Sequence, residues 1–183
     1  DNKKIKRLIG IDKSGHCVNE AIKRFKTKKP SNLVADFFKA DCRYSLDSID
    51  AYDDEQSYKN HSALLDKHSF DIISMQFCIH YFFDKEQSLD NLVENIDNNL
   101  KDKGYFIGTC MNKDNVITIL NGKNKIEKTQ GNTILWRITK QNNQLDTYGT
   151  KINVFIESIG KATDEWLVNF NELSYKLAEK NIH

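Results

Sequence analysis

Three polar side chains stand where short apolar runs of the sequence end: Asp12, Asp41 and Gln76. Each run is typical of a buried strand, and in open α/β sheets ligands bind beyond the carboxyl ends of the strands. A carboxylate there can accept hydrogen bonds from ribose hydroxyls or from the amino group of adenine. Helix capping is the alternative for Asp12, and a turn is the alternative for Asp41. Taken together, the two acids favour a cofactor that carries adenosine.

The stretch FDIISMQFCIHYFF, residues 70–83, places an imidazole and a phenol among apolar and aromatic neighbours. A lone histidine is more often a satisfied structural residue than a ligand-binding one, so His80 gains weight only from the motif around it. NAD and AdoMet both remain possible at this point, because no Gly-x-Gly-x-x-Gly phosphate loop occurs in the chain. The residues alone therefore indicate an adenosine cofactor without choosing between them.

The elements that would position these side chains alternate between strand and helix. Strands are predicted at 5–12, 33–42, 70–77 and 105–110, and antiparallel strands at 132–139 and 150–158. Helices are predicted up to Phe25, over 85–100 behind an Asp84–Gln87 capping pair, after Asn112, and over 173–180. This order predicts an α/β fold with a mainly parallel sheet and antiparallel additions.

Composition excludes several classes of protein. The 27 basic and 26 acidic residues leave a net charge of +1, so any nucleic acid must be met by a local patch. The four cysteines lie far apart in the sequence, which argues against a zinc site and favours a reducing compartment. No apolar run approaches the roughly 20 residues of a membrane span. We expect a soluble intracellular protein with no membrane partner and no metal.

The residues Gln76-Phe77 and His80-Tyr81-Phe82, followed by a helix and the strand GYFIGT at 104–109, resemble the mRNA cap guanine-N7 methyltransferases. The motifs IGIDKS around Asp12 and ADC around Asp41 are similar to the cofactor-binding segments of that family. DEWLVNFNEL, residues 164–173, is similar to its late segment, where a glutamate and an aromatic residue precede a helix. The resemblance covers most of the chain.

The resemblance implies a Rossmann-like class I AdoMet-dependent methyltransferase that releases S-adenosyl-L-homocysteine. It implies cofactor contacts from Asp12 to the ribose, from Asp41 to the adenine, and from Gln76 and Tyr81 near the methionine part. It implies no catalytic residue, because positioning of the two substrates would suffice.

For the guanine of the GpppN cap, the resemblance implies contacts from His80, Tyr81 and Glu165. A glutamate suits guanine, since one carboxylate can accept both N1–H and N2–H₂. The implied partners are 5′-capped RNA and either other capping-enzyme domains or a stimulatory subunit. The implied location is the nucleus for a cellular eukaryote, and host cytoplasm or virion for a virus.

The family's first strand with its glycine-rich loop, and its C-terminal strands, have no counterpart in the sequence. We therefore expect residues 1–183 to form a single, partial methyltransferase domain. Two alternatives stay open. One is a methyltransferase for another RNA or a small molecule, and the other is a non-catalytic methyltransferase-fold partner subunit.

Overall fold

A computed structural model describes residues 5–28, 33–142 and 146–182 of the chain. The chain forms two compact units, Asp1–Asp66 and Lys67–His183. In the described residues, no helix combines the length and the apolar character needed to cross a membrane.

The first unit is a two-stranded parallel sheet with helices. Its elements are β1 (Arg7–Asp12), α1 (Gly15–Lys28), β2 (Val34–Lys39), a 3₁₀ turn (Ile49–Ala51) and α2 (Glu55–Ser62). The register runs from the pair Arg7–Val34 to the pair Asp12–Lys39. Phe38 and Tyr52 lie in its buried core and stack with ring centroids 6.4 Å apart. The carboxyl ends of both strands therefore open on the same edge of this sheet.

The second unit begins with another parallel pair. Its elements are β3 (Phe70–Gln76), a 3₁₀ turn (Ile79–Phe82, the 79–82 turn), α3 (Glu86–Asn99), β4 (Leu100–Thr109), α4 (Lys113–Leu120), β5 (Lys125–Gln130), β6 (Thr133–Lys140), β7 (Lys151–Ile156), β8 (Ala162–Trp166) and α5 (Phe170–Glu179). β3 and β4 are parallel, and their register ends at the pair Gln76–Thr109. Leu89 and Ile96 of α3 are buried, at 0% and 2% exposed, which explains why this amphipathic segment is helical.

β5 to β8 form an antiparallel sheet in the order β5-β6-β7-β8. Because side chains alternate along a strand, each strand presents one face to the core and one outward. On the inner face, Ile152 and Val154 pack in a buried cluster with Val116 and Leu120 of α4. Helix α4 therefore covers the inner face of this sheet.

The predicted alternation of strands and helices is present, and Asn112 caps α4 through its side-chain oxygen as expected. The predicted Asp84–Gln87 capping pair is wrong. Lys85 is the residue before α3, and the Asp84 carboxylate instead accepts a hydrogen bond from the backbone N–H of Lys85 at 2.9 Å. Among the described residues, four of the eight strands are antiparallel, since β5 and β8 add to the two that were predicted.

Candidate active site

Gln76 ends β3 and is held by its neighbours. Its side-chain oxygen accepts a hydrogen bond from Thr109 Oγ1 at 2.9 Å, and its amide nitrogen donates to Ser74 Oγ at 3.1 Å. Phe77 follows in the left-handed region, with φ 55°, and its N–H donates to the Thr109 carbonyl at 2.9 Å. A positive φ is unusual for a bulky residue. It turns the chain sharply out of the strand and into the 79–82 turn.

His80 lies buried in that turn, with 7% of its surface exposed. Its ring centroid is 4.1 Å from that of Tyr81, and the two planes are tilted by 52°. Tyr81 is 37% exposed. The buried Nε2 of His80 has no hydrogen-bond partner among the described residues. A buried polar atom left unpaired costs about 1–3 kcal/mol, so such an atom marks a place where a ligand could supply the missing bond.

Glu165 of β8 faces the other ring nitrogen, with Oε2 3.7 Å from His80 Nδ1. Burial lowers the pKa of His80 to about 4, so its imidazole is neutral at pH 7. Burial also raises the pKa of Glu165, although a hydrogen bond from Thr163 opposes the effect. The two groups therefore form neither an ion pair nor a hydrogen bond with each other. Both can still form hydrogen bonds with a ligand. A neutral imidazole beside a half-buried carboxylate can bind a flat molecule that offers both donors and acceptors.

Asp12 and Asp41 lie in the first unit. Asp12 Oδ1 accepts a hydrogen bond from the Ser14 N–H at 2.7 Å, just before α1. Asp41 contacts the Arg43 guanidinium at two points, Oδ1 to Nε at 3.0 Å and Oδ2 to Nη2 at 2.5 Å. Burial alone would raise the pKa of Asp41, but the bonds and charge of Arg43, with Lys13, lower it below its usual range. Asp41 is therefore firmly ionised.

A cavity of about 260 Å³ lies beside Asp41, at the carboxyl ends of β1 and β2. Its wall combines cations, acids and aromatic rings: Lys13, Lys39, Asp41, Tyr44, Asp50, Tyr52 and Asp53, with Ala40 and Ala51. Lys39 Nζ bridges both carboxylate oxygens of Asp53 at 2.7 and 2.8 Å. The cavity is smaller than the roughly 300–1,000 Å³ of pockets for drug-sized ligands, so it suits a part of a cofactor.

The structure brings His80, Tyr81 and Glu165 together within the second unit, which also contains Gln76. Asp12 and Asp41 belong to the first unit. Two hydrogen-bond partners of the predicted site residues were not predicted from the sequence. Arg43 stands only two residues after Asp41, a spacing that could have indicated the pair, whereas the bond from Thr109 to Gln76 depends on pairing between distant strands.

Two solved structures share this fold. One is an S-adenosylmethionine-dependent methyltransferase from Clostridium acetobutylicum, with TM-score 0.59, 15% identity, and coverage of 96% of this chain and 63% of that chain. The other is a protein from Pyrococcus horikoshii, with TM-score 0.54, 14% identity, and coverage of 94% and 61%. The chain therefore has the Rossmann-like fold of the AdoMet-dependent methyltransferases, as predicted.

The family is narrower than the fold. The model of the mRNA (guanine-N(7))-methyltransferase domain matches residues 1–182, and the chain belongs to this family. It is 34% identical over 134 residues to the mRNA cap guanine-N(7) methyltransferase of Schizosaccharomyces pombe, covering 73% of this chain and 34% of that protein. For the enzyme of the same name from Saccharomyces cerevisiae, the identity is 26% over 180 residues, covering 92% and 39%.

A viral relative is also similar. The probable mRNA-capping enzyme of Acanthamoeba polyphaga mimivirus is 33% identical over 121 residues, which cover 61% of this chain and 10% of that protein. The chain spans no more than about two fifths of the length of these three relatives. The resemblance predicted from the Gln76 and His80 motifs is confirmed.

Proposed function

We propose that this chain is part of an enzyme that transfers a methyl group from AdoMet to N7 of the guanine in the GpppN cap of mRNA. The observation that carries this proposal is the buried, unpaired Nε2 of His80, on a ring whose centroid lies 4.1 Å from that of Tyr81 and whose Nδ1 faces Glu165. Together an imidazole, a phenol ring and a carboxylate match the hydrogen-bonding and stacking groups of guanine, and two relatives of this chain are named mRNA cap guanine-N(7) methyltransferase.

Guanine recognition follows from the hydrogen-bonding groups present. Glu165 can accept N1–H and N2–H₂ together, a pair of donors that adenine does not offer. A neutral His80 has one ring N–H, which can donate to guanine O6. Tyr81, partly exposed beside His80, can pack on the base, and stacking of this kind contributes about 1–3 kcal/mol per base. Sites built on buried hydrogen bonds can reject analogues that lack them by roughly 10⁴-fold or more.

The residues of the first unit fit the adenosine part of AdoMet. Ribose hydroxyls and the adenine amino group are donors, and Asp12 and the ionised Asp41 are acceptors. The aromatic rings in the cavity beside Asp41 suit a purine. For the methionine part, the residues proposed are Gln76 and Tyr81. When bound, AdoMet supplies a methyl group already activated by its sulfonium.

No general base is required of the protein. Guanine N7 has an in-plane lone pair and loses no proton, so the residues act by binding and orienting. Fixing two reactants in line can lower a barrier by about 7–11 kcal/mol. The burial of His80, which is 7% exposed, disfavours water near the reacting atoms.

The test is methyl transfer to GpppA-capped RNA, using the longest natural form of the polypeptide and labelled AdoMet. We expect label at guanine N7. Glu165→Gln keeps the shape but replaces one acceptor oxygen with an amide donor, so we expect kcat/KM for capped RNA to fall at least about 100-fold. The matched control is Glu94→Gln, an exposed glutamate of α3 that should leave kcat/KM unchanged.

Each other outcome contradicts a different part of the proposal. Label on a small molecule or on an internal RNA base would contradict the proposed substrate but support the methyltransferase activity. Absence of AdoMet binding would favour a non-catalytic partner subunit. An equal loss of kcat/KM in Glu165→Gln and Glu94→Gln would show that Glu165 does not recognise guanine.

The proposal extends to partners and location. Capped RNA is the substrate, and the match to part of a viral capping enzyme favours further capping domains in the same polypeptide or complex. The location proposed with it is the nucleus for a cellular eukaryote, or host cytoplasm or virion for a virus.

A further inference from the structure

The outer face of the antiparallel sheet carries chemistry that the guanine site does not use. The register pairs Arg137 of β6 with Phe155 of β7, and Lys151 of β7 with Trp166 of β8. These four side chains, with the acids Glu127 and Asp164, define what we call the outer face. They alternate along their strands with the buried inner-face residues that contact α4. The outer face is thus one side of the sheet, with mixed aromatic and charged groups.

Two cations lie over two rings on this face. Arg137 Cζ is 5.7 Å from the centroid of Phe155, and Lys151 Nζ is 5.9 Å from the ring centroid of Trp166. Phe155 and Lys151 are four residues apart on β7, so the two pairs are separated by roughly 13 Å along the strand. The Arg137 and Lys151 side chains are 33% and 37% exposed. Both cation–ring pairs are therefore accessible from solvent.

Aromatic rings interleaved with cations on a sheet are the groups that single-stranded RNA binds. Bases stack on aromatic rings or on guanidinium planes, and cations meet the phosphates. Lys151 Nζ contacts Asp164 at 2.8 Å, and Arg137 lies 3.9 Å from Glu127. Partly exposed ion pairs of this kind contribute only about 0–1 kcal/mol, so a phosphate can replace the carboxylate at small cost. The acids also keep binding of uncapped RNA weak.

The outer face adjoins the guanine site through β8. Glu165 lies on the inner side near His80, while its neighbours Asp164 and Trp166 belong to the outer face. β8 is the edge strand of the four-stranded sheet in the described residues. A chain leaving the guanine site therefore needs only to pass around one edge strand to reach Trp166.

We propose that the outer face binds the first nucleotides that follow the cap. This inference rests on the proposed function and deepens it, because it assigns a second contact to the same substrate. The cap supplies specificity, and the outer face raises the affinity for capped RNA over that for the cap alone, by holding both parts of one molecule.

Three ligands separate the two sites: GpppG, an uncapped hexanucleotide RNA, and the same hexanucleotide carrying a GpppA cap. Affinities are measured by fluorescence anisotropy with the chain itself. We expect the capped hexanucleotide to bind at least about five-fold more tightly than GpppG, the lower end of one base stack. Phe155→Leu, Arg137→Ala and Lys151→Ala, made singly, should reduce this advantage and leave GpppG unchanged.

A matched control is available for the charge. Lys101 is 43% exposed and pairs with Asp71 at 2.9 Å, much as Lys151 pairs with Asp164, but it lies on β4. Lys101→Ala should keep the full advantage of the capped hexanucleotide. Lys151→Ala should also lower the slope of log affinity against log salt by about 0.7, the value for one phosphate contact on a single strand.

The results distinguish this inference from the proposed function. One result is that Glu165→Gln loses GpppG binding while the wild type binds the capped hexanucleotide no more tightly than GpppG. This result would support cap recognition by Glu165 and contradict RNA binding by the outer face. Binding of uncapped RNA that depends on Phe155 and Arg137, without any binding of GpppG, would support RNA binding by the outer face and contradict cap binding. Crosslinking of 4-thiouridine RNA gives a measurement that does not depend on variant folding. Crosslinks should fall on the peptides of β7 and β8, and crosslinks confined elsewhere would overturn the inference, leaving this face to a protein partner.

Discussion

His80 is buried without a charge, and that fact sets a pH dependence of folding. Its pKa is about 4 in the folded chain against an ordinary 6.5, because burial disfavours the imidazolium. The unfolded chain therefore binds more protons between these values, and stability falls as the pH falls from about 6.5 toward about 4. The largest loss from this residue alone is on the order of 3 kcal/mol. Urea unfolding at pH 7 and pH 5 measures the part of this loss that falls between those two pH values, about 2 kcal/mol.

The comparison that isolates His80 is His80→Gln, which has no titrating group. Glu165 opposes the effect, since its raised pKa makes the folded chain gain stability as the pH falls through that value. The difference between wild type and His80→Gln cancels most of this contribution. We expect His80→Gln to lose less stability than wild type between pH 7 and pH 5. Identical losses would mean that folding does not lower the pKa of His80.

At the scale of elements, a loop holds the 79–82 turn in place. Gly149 N–H donates to the Phe83 carbonyl at 2.8 Å, and the Tyr148 ring lies 5.9 Å from the fully buried ring of Phe83. The Tyr148 hydroxyl donates to Glu172 of α5 at 2.8 Å. Lys176 of the same helix contacts Asp90 of α3 at 2.6 Å. Tyr148 thus connects the turn that carries His80 to a network of charges between two helices.

Tyr148→Phe should therefore lower the free energy of unfolding by about 1–3 kcal/mol, the contribution of a hydrogen bond to a charged group. It should also weaken GpppG binding, since the turn is less firmly positioned. Tyr175→Phe is the matched control, because the Tyr175 hydroxyl donates to Glu179 at 3.0 Å on the exposed side of α5. We expect Tyr175→Phe to lower the free energy of unfolding by less than about 0.5 kcal/mol. If Tyr148→Phe and Tyr175→Phe changed GpppG binding equally, Tyr148 would have no role in positioning the 79–82 turn.

The elements show why local signals succeeded and distant ones did not. Asn112 was predicted to cap α4 because capping depends on a side chain and the next few N–H groups. β5 and β8 were missed, since KIEKTQ and ATDEW contain few apolar residues and become strands only through pairing with β6 and β7. The unpaired Nε2 of His80 was likewise invisible, because it depends on packing from distant segments. The motif led to the prediction of His80 as a site residue, and packing by distant segments determines its protonation.

At the scale of the whole molecule, the residues predicted for the adenosine part of AdoMet and the residues predicted for guanine belong to different compact units. Asp41 and its cavity belong to Asp1–Asp66, and the three guanine residues belong to Lys67–His183. Substitutions should therefore separate the two affinities. Asp41→Asn removes the negative charge beside the cavity, so we expect AdoMet to bind at least about ten-fold more weakly while GpppG binding stays within about two-fold, in line with the loss of a charged hydrogen bond.

Glu165→Gln should give the reverse result, with weak GpppG binding and unchanged AdoMet binding. Calorimetric titration of each ligand into each variant measures all four values in the longest natural form of the polypeptide. Asp50→Asn controls for a general change of charge at the same cavity, because Asp50 lines the cavity and accepts a hydrogen bond from Ser48 Oγ at 3.1 Å. If Asp41→Asn weakened both ligands equally, the change would act on folding, since Asp41 also pairs with Arg43. The separation is expected because Asp41 is proposed to accept hydrogen bonds only from AdoMet, and Glu165 only from guanine.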